Sequence, residues 1–496
     1  MFRPTHMSPF LLLLFLSLAT ALTCSASPQI HIGFSASPQS QTALFESLFT
    51  DPTGNFSLCF LRRNQNHLAL AVIHVASSQP LWLANPTHLA SWSHTTRLSF
   101  NGTLLLSDPK TNLLWSTETN GGDTLLLLNT SNLQILNKAK ATPIWQSFDF
   151  PTNTLVQDQN FTTAMSLSSQ NGLYSLRLGN DFMGLYANYP ENDASSLRQL
   201  LYWKRTALEA KAVIKQGQGP IYARVNKEGY LGMYQTSAKP IDVQKFDSFQ
   251  QNPTASSFLF VRLEPDGNLK GYYWNSNKSS WVLNYQAITE TCELPLPCGS
   301  YGLCTPGGSG CSCLDNRTRF EPGVGCFGGS NGNLCSEKIG GDSYSVIRRT
   351  GVEPPHKELD GHVTTPSSAE CEGLCERNCS CWGAMYNNVS GFCYIMDYPI
   401  GTMTGSGEDY KVGYFKVRKS ESGKNRVGVR VGVVVGVVVG VMVGIVFIGA
   451  GVWMMRMRWR RKGVNGMLGE ENGSSPGPYR NLGSDSFKSI EMSGQR

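Results

Sequence analysis

The sequence predicts a mainly β chain with a single transmembrane helix, and three observations carry that prediction. Short apolar runs broken by Gly, Asn, Asp, Ser and Pro recur from Ile30 to about Thr154 and again from about Val156 to Glu290. That is the pattern of strands joined by close turns. Twelve of the fourteen cysteines crowd between Cys292 and Cys393, an even number at short spacing that reads as a disulfide framework in an oxidising compartment. Val431 to Met455 holds twenty-five residues without a charge or a proline. At about 1.5 Å per residue such a helix reaches roughly 37 Å, enough to cross a hydrocarbon core of about 30 Å.

At the N-terminus, Arg3 and His6 precede an apolar block, Phe10 to Leu22, that is too short to span a bilayer. Cys24-Ser25-Ala26 supplies the small −3/−1 pattern of a signal-peptidase site, so residues 1–26 are expected to be a signal peptide. Asn-x-Ser/Thr acceptors begin at Asn55, Asn101, Asn129, Asn160, Asn277, Asn316, Asn378 and Asn388. In a secreted chain these mark an expected glycosylated surface.

Within the first β-rich region a repeat is visible: Pro80-Leu-Trp82-Leu-Ala-Asn-Pro86, Leu113-Leu-Trp115-Ser-Thr117 and Pro143-Ile-Trp145-Gln-Ser147. Three tryptophans about thirty residues apart predict three similar sheet units sharing one core. Core packing is the expectation for Trp flanked by strand formers, and a sugar-stacking platform is the alternative. Cys59, in Phe-Ser-Leu-Cys-Phe-Leu, reads as a buried small hydrophobe.

The stretch from Trp145 to Leu155, Trp-Gln-Ser-Phe-Asp-Phe-Pro-Thr-Asn-Thr-Leu, resembles the WQSFDxPTDTLL signature of plant S-domain proteins, the S-locus glycoproteins and G-type lectin receptor-like kinases. The segments around Trp82 and Trp115 resemble that family's VWVANR and LWST strands. The resemblance implies a bulb-type lectin β-prism over residues 27–155. The family's mannose motif is Q-x-D-x-N-x-V-x-Y along one strand, whose alternate side chains face one way. On the first candidate strand that register gives Ser99, Asn101, Thr103, Leu105 and Ser107; on the second, Leu128, Thr130, Asn132, Gln134 and Leu136. Neither keeps more than a fragment, so this domain is expected to keep the fold without the mannose site.

Residues 156–290 resemble the family's second lectin-like, S-locus glycoprotein domain. Here Glu264, Asp266, Asn268, Lys270 and Tyr272 stand at the mannose spacing. Their amide, carboxylate and phenol groups could bond adjacent sugar hydroxyls, yet Asp-Gly-Asn is foremost a turn signal. Cys292, Cys298, Cys304, Cys311, Cys313 and Cys326 resemble an EGF-like module over 291–327, for which spacing alone allows fifteen pairings. The resemblance implies 292–304, 298–311 and 313–326. Cys335, Cys371, Cys375, Cys379, Cys381 and Cys393 resemble the PAN/apple domain, α+β, over 335–418. There the family pattern implies 371–393 and 375–381, which leaves Cys335 to Cys379, and Ser367 to Arg377 is expected to form a short helix.

The span, residues 427–455, is followed at once by Arg456, Arg458, Arg460, Arg461 and Lys462, against Arg426 and Arg430 on its other flank. Basic residues stay on the cytoplasmic side, so a single-pass type I protein of the plasma membrane is expected, with its N-terminus outside. Much of the net charge of +6 lies in that cluster, whose expected partner is anionic inner-leaflet lipid. No basic stripe with interleaved aromatics marks a nucleic-acid partner. Gly428, Gly432, Gly436, Gly440 and Gly444 form a run of G-x-x-x-G, which lets helices approach closely and predicts pairing with a second copy or a partner receptor kinase. The tail, 456–496, is polar and rich in Gly and Ser, is expected to be disordered, and contains no kinase motif.

Nothing in the sequence predicts an enzyme, a metal or a cofactor. The eight histidines form no H-E-x-x-H, and the G-x-S-x-G text at Gly328–Gly332 lacks the strand before it and helix after it that a nucleophile elbow needs. The expected role is non-catalytic recognition of a glycan or peptide at the cell surface, as a co-receptor or decoy. A cell-wall or glycan-binding adhesion protein is the alternative.

Overall fold

The computed structural model of the chain describes residues 29–418, apart from 109–112, 191–196, 208–220, 237–238, 246–256, 308–309, 317, 324, 327–334, 336–343, 358 and 360, together with 450–451 and 453–456. The signal peptide, the four glycines 432, 436, 440 and 444, nearly all of the expected span and nearly all of the tail lie outside the described residues. Among the described residues no helix is long and apolar enough to cross a membrane.

Period-2 patterning produces the first unit. In Arg97–Phe100 and Leu104–Ser107, alternate residues Leu98, Phe100, Leu104 and Leu106 are fully buried while their neighbours face outward. Three antiparallel sheets each contribute such a face to one core. One runs Gln29–His31, Thr124–Leu127, Leu133–Leu136, Trp145–Gln146; the second Phe34–Ala36, Arg97–Phe100, Leu104–Ser107, Trp115–Ser116. The third runs Phe45–Thr50, Phe56–Arg62, His67–His74, Gln79–Leu83, with Ala90–Ser91 paired to His67–His74. The three repeat tryptophans therefore fall on corresponding terminal strands, one per sheet. Gly102, at φ +99°, passes so near Gly122 that a Cβ on Gly122 would lie 2.6 Å from the Gly102 carbonyl oxygen. The two turns can approach only because neither carries a side chain.

The same plan recurs downstream. Sheets built on Thr154–Val156 with Leu259–Leu263, Leu269–Asn275 and Ser280–Gln286, on Asn160–Phe161 with Tyr222–Asn226, and on Leu167–Ser168 with Tyr174–Leu178 surround a second core. The two units share a wall. Leu259, Val261 and Leu263 enter the second core, whereas Phe260 between them enters the first; Leu155 and Val156 divide the same way. Trp281 Nε1 donates to Ser77 Oγ at 2.8 Å and Arg262 Nη2 to the Pro80 carbonyl at 2.7 Å, stitching the seam with polar bonds.

The segment from Cys292 to Cys326 buries little more than its own cysteines, Cys292, Cys298 and Cys304 with Cys311 and Phe320 against them, and packs the rest on its neighbour. Gly302–Cys304 and Cys311–Cys313 join Met403–Gly405 and Val352–Glu353 in one mixed sheet, and Tyr301, Leu303 and Leu314 pack with Trp382, Met403 and Phe415. A segment this short and glycine-rich gains burial only by borrowing its neighbour's surface. The last domain is a five-stranded sheet, Tyr344–Thr350, Lys411–Arg418, Cys381–Asn387, Phe392–Asp397, Val363–Thr364, crossed by the helix Ser368–Arg377. Ser367 caps that helix by accepting from Glu370 N, and the buried Lys416 ammonium donates to the Cys375 and Asn378 carbonyls at its end, at 2.8 and 3.2 Å.

Replacing Phe260 with Ala should cost about 3–5 kcal/mol. Because this ring fills the first core from a strand of the second unit, hydrogen exchange should rise in Phe56–Arg62 and His67–His74 as well as in Leu259–Leu263. Deprotection confined to the second unit would contradict the shared wall.

Candidate ligand-binding site

The strand positions at the mannose spacing are occupied by the protein itself. Asn132 is buried, donates from Nδ2 to Gln146 Oε1 at 2.9 Å, and accepts from Ser147 Oγ and Phe148 N, both at 3.3 Å. Gln134 Nε2 donates to the same Gln146 oxygen at 3.1 Å, and Gln146 Nε2 to Asp149 at 2.9 Å. The amides of this strand thus anchor the segment that carries Trp145 and Phe148. On the other strand Ser99, Leu105 and Ser107 are partly exposed and Asn101 is exposed in the adjoining turn.

In the second unit, Glu264 and Leu269 bracket a turn with Gly267 at φ +86°. Asn268 is buried, its side chain donating to the Ile288 carbonyl at 2.7 Å and accepting from Ile288 N at 3.1 Å. Asp266 pairs with Lys270 at 2.6 Å, and the Tyr272 hydroxyl donates to Glu264 at 2.8 Å. The four residues Glu264, Asp266, Asn268 and Tyr272 are brought together, but largely to satisfy one another and the backbone.

A recess of about 360 Å³ opens where the three repeat tryptophans meet. Trp82, Trp115 and Trp145 form a triangle with centroids 5.9, 5.9 and 6.2 Å apart and planes inclined at 69–74°. Edge-to-face packing of this kind sets the positive rim of each ring against the negative face of the next. Trp82 and Trp145 are buried, as core residues should be, while Trp115 remains half-buried. Phe150 stacks on Trp145 at 5.8 Å and is 56% exposed; its carbonyl accepts from Trp82 Nε1 at 2.8 Å. Glu118 and Thr152 also line the recess. Sequence reasoning found the tryptophans through their repeat but missed Phe150, Glu118 and Thr152, which carry no periodic signal.

A second cavity, about 100 Å³, lies between the second unit and the last domain. Arg198 bridges it, paired with Asp397 at 3.2 Å and donating to the Tyr398 carbonyl at 3.2 Å. His356 lines it beside Tyr202, with its Nε2 buried and without a hydrogen-bond partner among the described residues.

All eight acceptor asparagines, 55, 101, 129, 160, 277, 316, 378 and 388, are exposed. Disulfides join Cys292 to Cys304, Cys298 to Cys311, Cys313 to Cys326, Cys335 to Cys379, Cys371 to Cys393 and Cys375 to Cys381. Cys59 is a free, fully buried thiol whose pKa burial pushes well above its ordinary value. Among the described residues no group of three or more His, Cys, Asp or Glu could hold a metal; the G-x-S-x-G text lies outside them.

Two lectin-type units and a disulfide-tied sheet crossed by a helix define a class of binding modules. Residues 80–177 match the model of the D-mannose binding lectin domain, 225–322 that of the S-locus glycoprotein domain and 347–417 that of the PAN domain. A PAN domain-containing protein of Arabidopsis thaliana is 52% identical over 462 residues, covering 93% of this chain and 91% of its own. The chain belongs to the plant S-domain family, among its PAN domain-containing members. A G-type lectin S-receptor-like serine/threonine-protein kinase of the same plant is 26% identical over 374 residues, 71% of this chain and 42% of the kinase. The chain thus spans about two-fifths of that relative. EP1-like glycoprotein 4, also from Arabidopsis thaliana, is 26% identical over 398 residues, 74% of this chain and 86% of its own. A solved Marasmius oreades lectin covers 28% of this chain and 92% of its own at 14% identity with a TM-score of 0.19, too low to bear on the fold.

Burial lowers the His356 imidazole from its ordinary 6.5 to about 4. The unfolded chain takes up this proton near 6.5 and the folded chain only near 4. Stability from the group is complete above pH 6.5 and is lost as pH falls from there towards 4, by at most about 1.4 kcal/mol per unit. Thermal melts between pH 4 and 8 should show a falling midpoint that His356→Leu flattens. Glu353, held below its ordinary value by Lys357 and Lys411, and His74, lowered by burial, act with the same sign, so a residual slope remains. An unchanged slope in the variant would refute this assignment.

Proposed function

We propose that this chain is a non-catalytic cell-surface recognition protein, a receptor-like ectodomain for a glycan or protein ligand that acts as a co-receptor or decoy. In this reading residues 1–26 are removed as a signal peptide, and 27–155 form a bulb-type lectin β-prism. Residues 156–290 form the second lectin-like domain, 291–327 the EGF-like module and 335–418 the PAN/apple domain. Residues 427–455 cross the plasma membrane once, leaving 456–496 as a cytoplasmic tail, and Gly432, Gly436, Gly440 and Gly444 pair the helix with a second copy or a partner receptor kinase.

The observation that carries the reading is the body between residues 29 and 418. Its twelve cysteines from 292 to 393 are bonded in six pairs, and its eight Asn-x-Ser/Thr asparagines all reach solvent. Such bonds persist outside the cell, where acceptors of this kind are glycosylated. Family membership supports recognition as the task, since lectin-type and PAN domains are binding modules. The strand amides are engaged within the protein, so mannose recognition through Asn132 and Gln134 is not part of this proposal. The second reading, wall or glycan adhesion without a partner kinase, is favoured by the match to EP1-like glycoprotein 4, of which the chain covers most.

Protease shaving of intact cells carrying one tag after residue 28 and another at the C-terminus should remove the first and spare the second. An N-glycosidase should lower the mass of the full-length protein. The reverse shaving pattern would overturn the orientation. Proximity labelling from the C-terminal tag separates the two readings: receptor kinases support the first, and their absence with wall polymers retained on the ectodomain supports the second.

A further inference from the structure

We infer that the N-glycan joined to Asn316 folds back into the groove between the disulfide module and the sheet of the last domain, where its first two sugars tie the two together. The inference rests on the secreted, glycosylated reading above and adds what the sugar at this one position touches.

The groove, about 510 Å³, falls within the roughly 300–1,000 Å³ of small-ligand sites. Leu303 and Asn316 stand on the side of the disulfide module. The end of the strand Tyr344–Thr350, with Gly407, Asp409 and Val412, stands on the other. Gly351 and Gly407 turn with φ +70° and +67°, and a Cβ on Gly407 would meet nothing within 4 Å. The turn that borders the groove therefore leaves it open where a side chain would have narrowed it.

Asn316 is held in the form that a glycan needs. Its Oδ1 accepts from Arg349 Nη1, and its Nδ2 meets no partner among the described residues. An N-glycan is joined through Nδ2 and leaves Oδ1 as an amide acceptor, so the arginine bond and the sugar coexist. Arg349 belongs to the strand Tyr344–Thr350, so this bond already crosses the seam and fixes the asparagine at the edge of the groove. None of the other seven acceptors lines this groove.

The walls suit N-acetylglucosamine, the sugar joined to such asparagines. Its acetyl methyl and C–H face are matched by Leu303 and Val412, and its amide N–H and hydroxyls by the exposed Asp409 carboxylate, which meets no partner among the described residues. Two arginines might suggest an anion instead. Both are engaged: Arg348 pairs with Glu372 at 2.9 Å and Arg349 holds Asn316, and Asp409 repels a second negative charge. A tethered sugar faces the groove at an effective concentration in the millimolar range, so contacts too weak to retain a free sugar suffice.

The test uses the full-length protein, made in cells that leave N-glycans mannose-rich and extracted in detergent. Under native conditions an endoglycosidase that cuts between the first two sugars should act at Asn316 about tenfold more slowly than at Asn277 and Asn388, since only the unseated fraction is cut. Denaturation should equalise the three rates. Arg349→Ala should bring the Asn316 rate up to the others and leave theirs unchanged. Thr318→Ala, which removes the acceptor triplet, should raise hydrogen exchange in Tyr344–Thr350, whereas Thr318→Ser should match wild type. A glycan on Asn316 that is cut as fast as its comparators would overturn the seating, and so would slow cutting that persists in Arg349→Ala. An Asn316 without sugar, in a protein glycosylated elsewhere, would overturn the inference and leave the secreted reading intact. Absence of sugar from all eight acceptors would overturn that reading as well.

Discussion

The structure depends on one strand that serves two cores. Along Leu259–Leu263, alternate side chains point in opposite directions because the pleat has a period of two residues. A sheet with one face in water would carry polar residues at every second position; here both faces pack against protein, Leu259, Val261 and Leu263 on one side and Phe260 with the seam residue Arg262 on the other. Burying a ring or a branched chain stabilises by about 1.5–3 kcal/mol each. Separating the units would expose Phe260, Val156 and part of the Trp281 surface at once. The polar bonds of Trp281 and Arg262 across the seam contribute less, about 1 kcal/mol apiece, but they fix the angle at which the units meet.

Below that wall, cross-links replace burial. The closure from Cys335 to Cys379 spans 44 residues and that from Cys375 to Cys381 only 6. Loop entropy grows with the logarithm of length, so the long closure restrains the unfolded chain more by roughly 2 kcal/mol. The short one acts instead on geometry: it ties the end of the helix Ser368–Arg377 to the strand beneath, where Lys416 already donates to its last carbonyls. The buried ammonium is tolerable only because helix carbonyls surround it, and the C-terminal end of a helix is where a positive charge is favoured.

How much of this could be read in the chain follows from what is local and what is not. Three tryptophans at a thirty-residue interval told of three sheets with a common centre, because a repeat that cannot bury its own apolar face must share one. The Glu264–Asn268 turn was legible for the same reason, since Asp-Gly-Asn needs a glycine at positive φ and has one. The cysteine pairs were not legible in spacing, which leaves fifteen choices for six residues; which strands lie side by side decides them. That Cys311–Cys313 shares a sheet with Met403–Gly405 was equally hidden, since residues 92 positions apart leave no periodic trace. Phe150, Glu118 and Thr152 converge from two loops for the same reason, and each looked unremarkable alone.

The fate of the strand amides explains why the strand positions at the mannose spacing are closed to a ligand. A side-chain amide offers one acceptor oxygen and two donors, and in Asn132 these bind Gln146, Ser147 and Phe148, which are parts of the segment that closes the first unit. Releasing them to a sugar would leave buried backbone and hydroxyl groups unpaired, at about 1–3 kcal/mol each. A weak sugar contact returns no more than that. In this fold, therefore, the amides at the mannose spacing serve stability, holding the segment that closes the first unit.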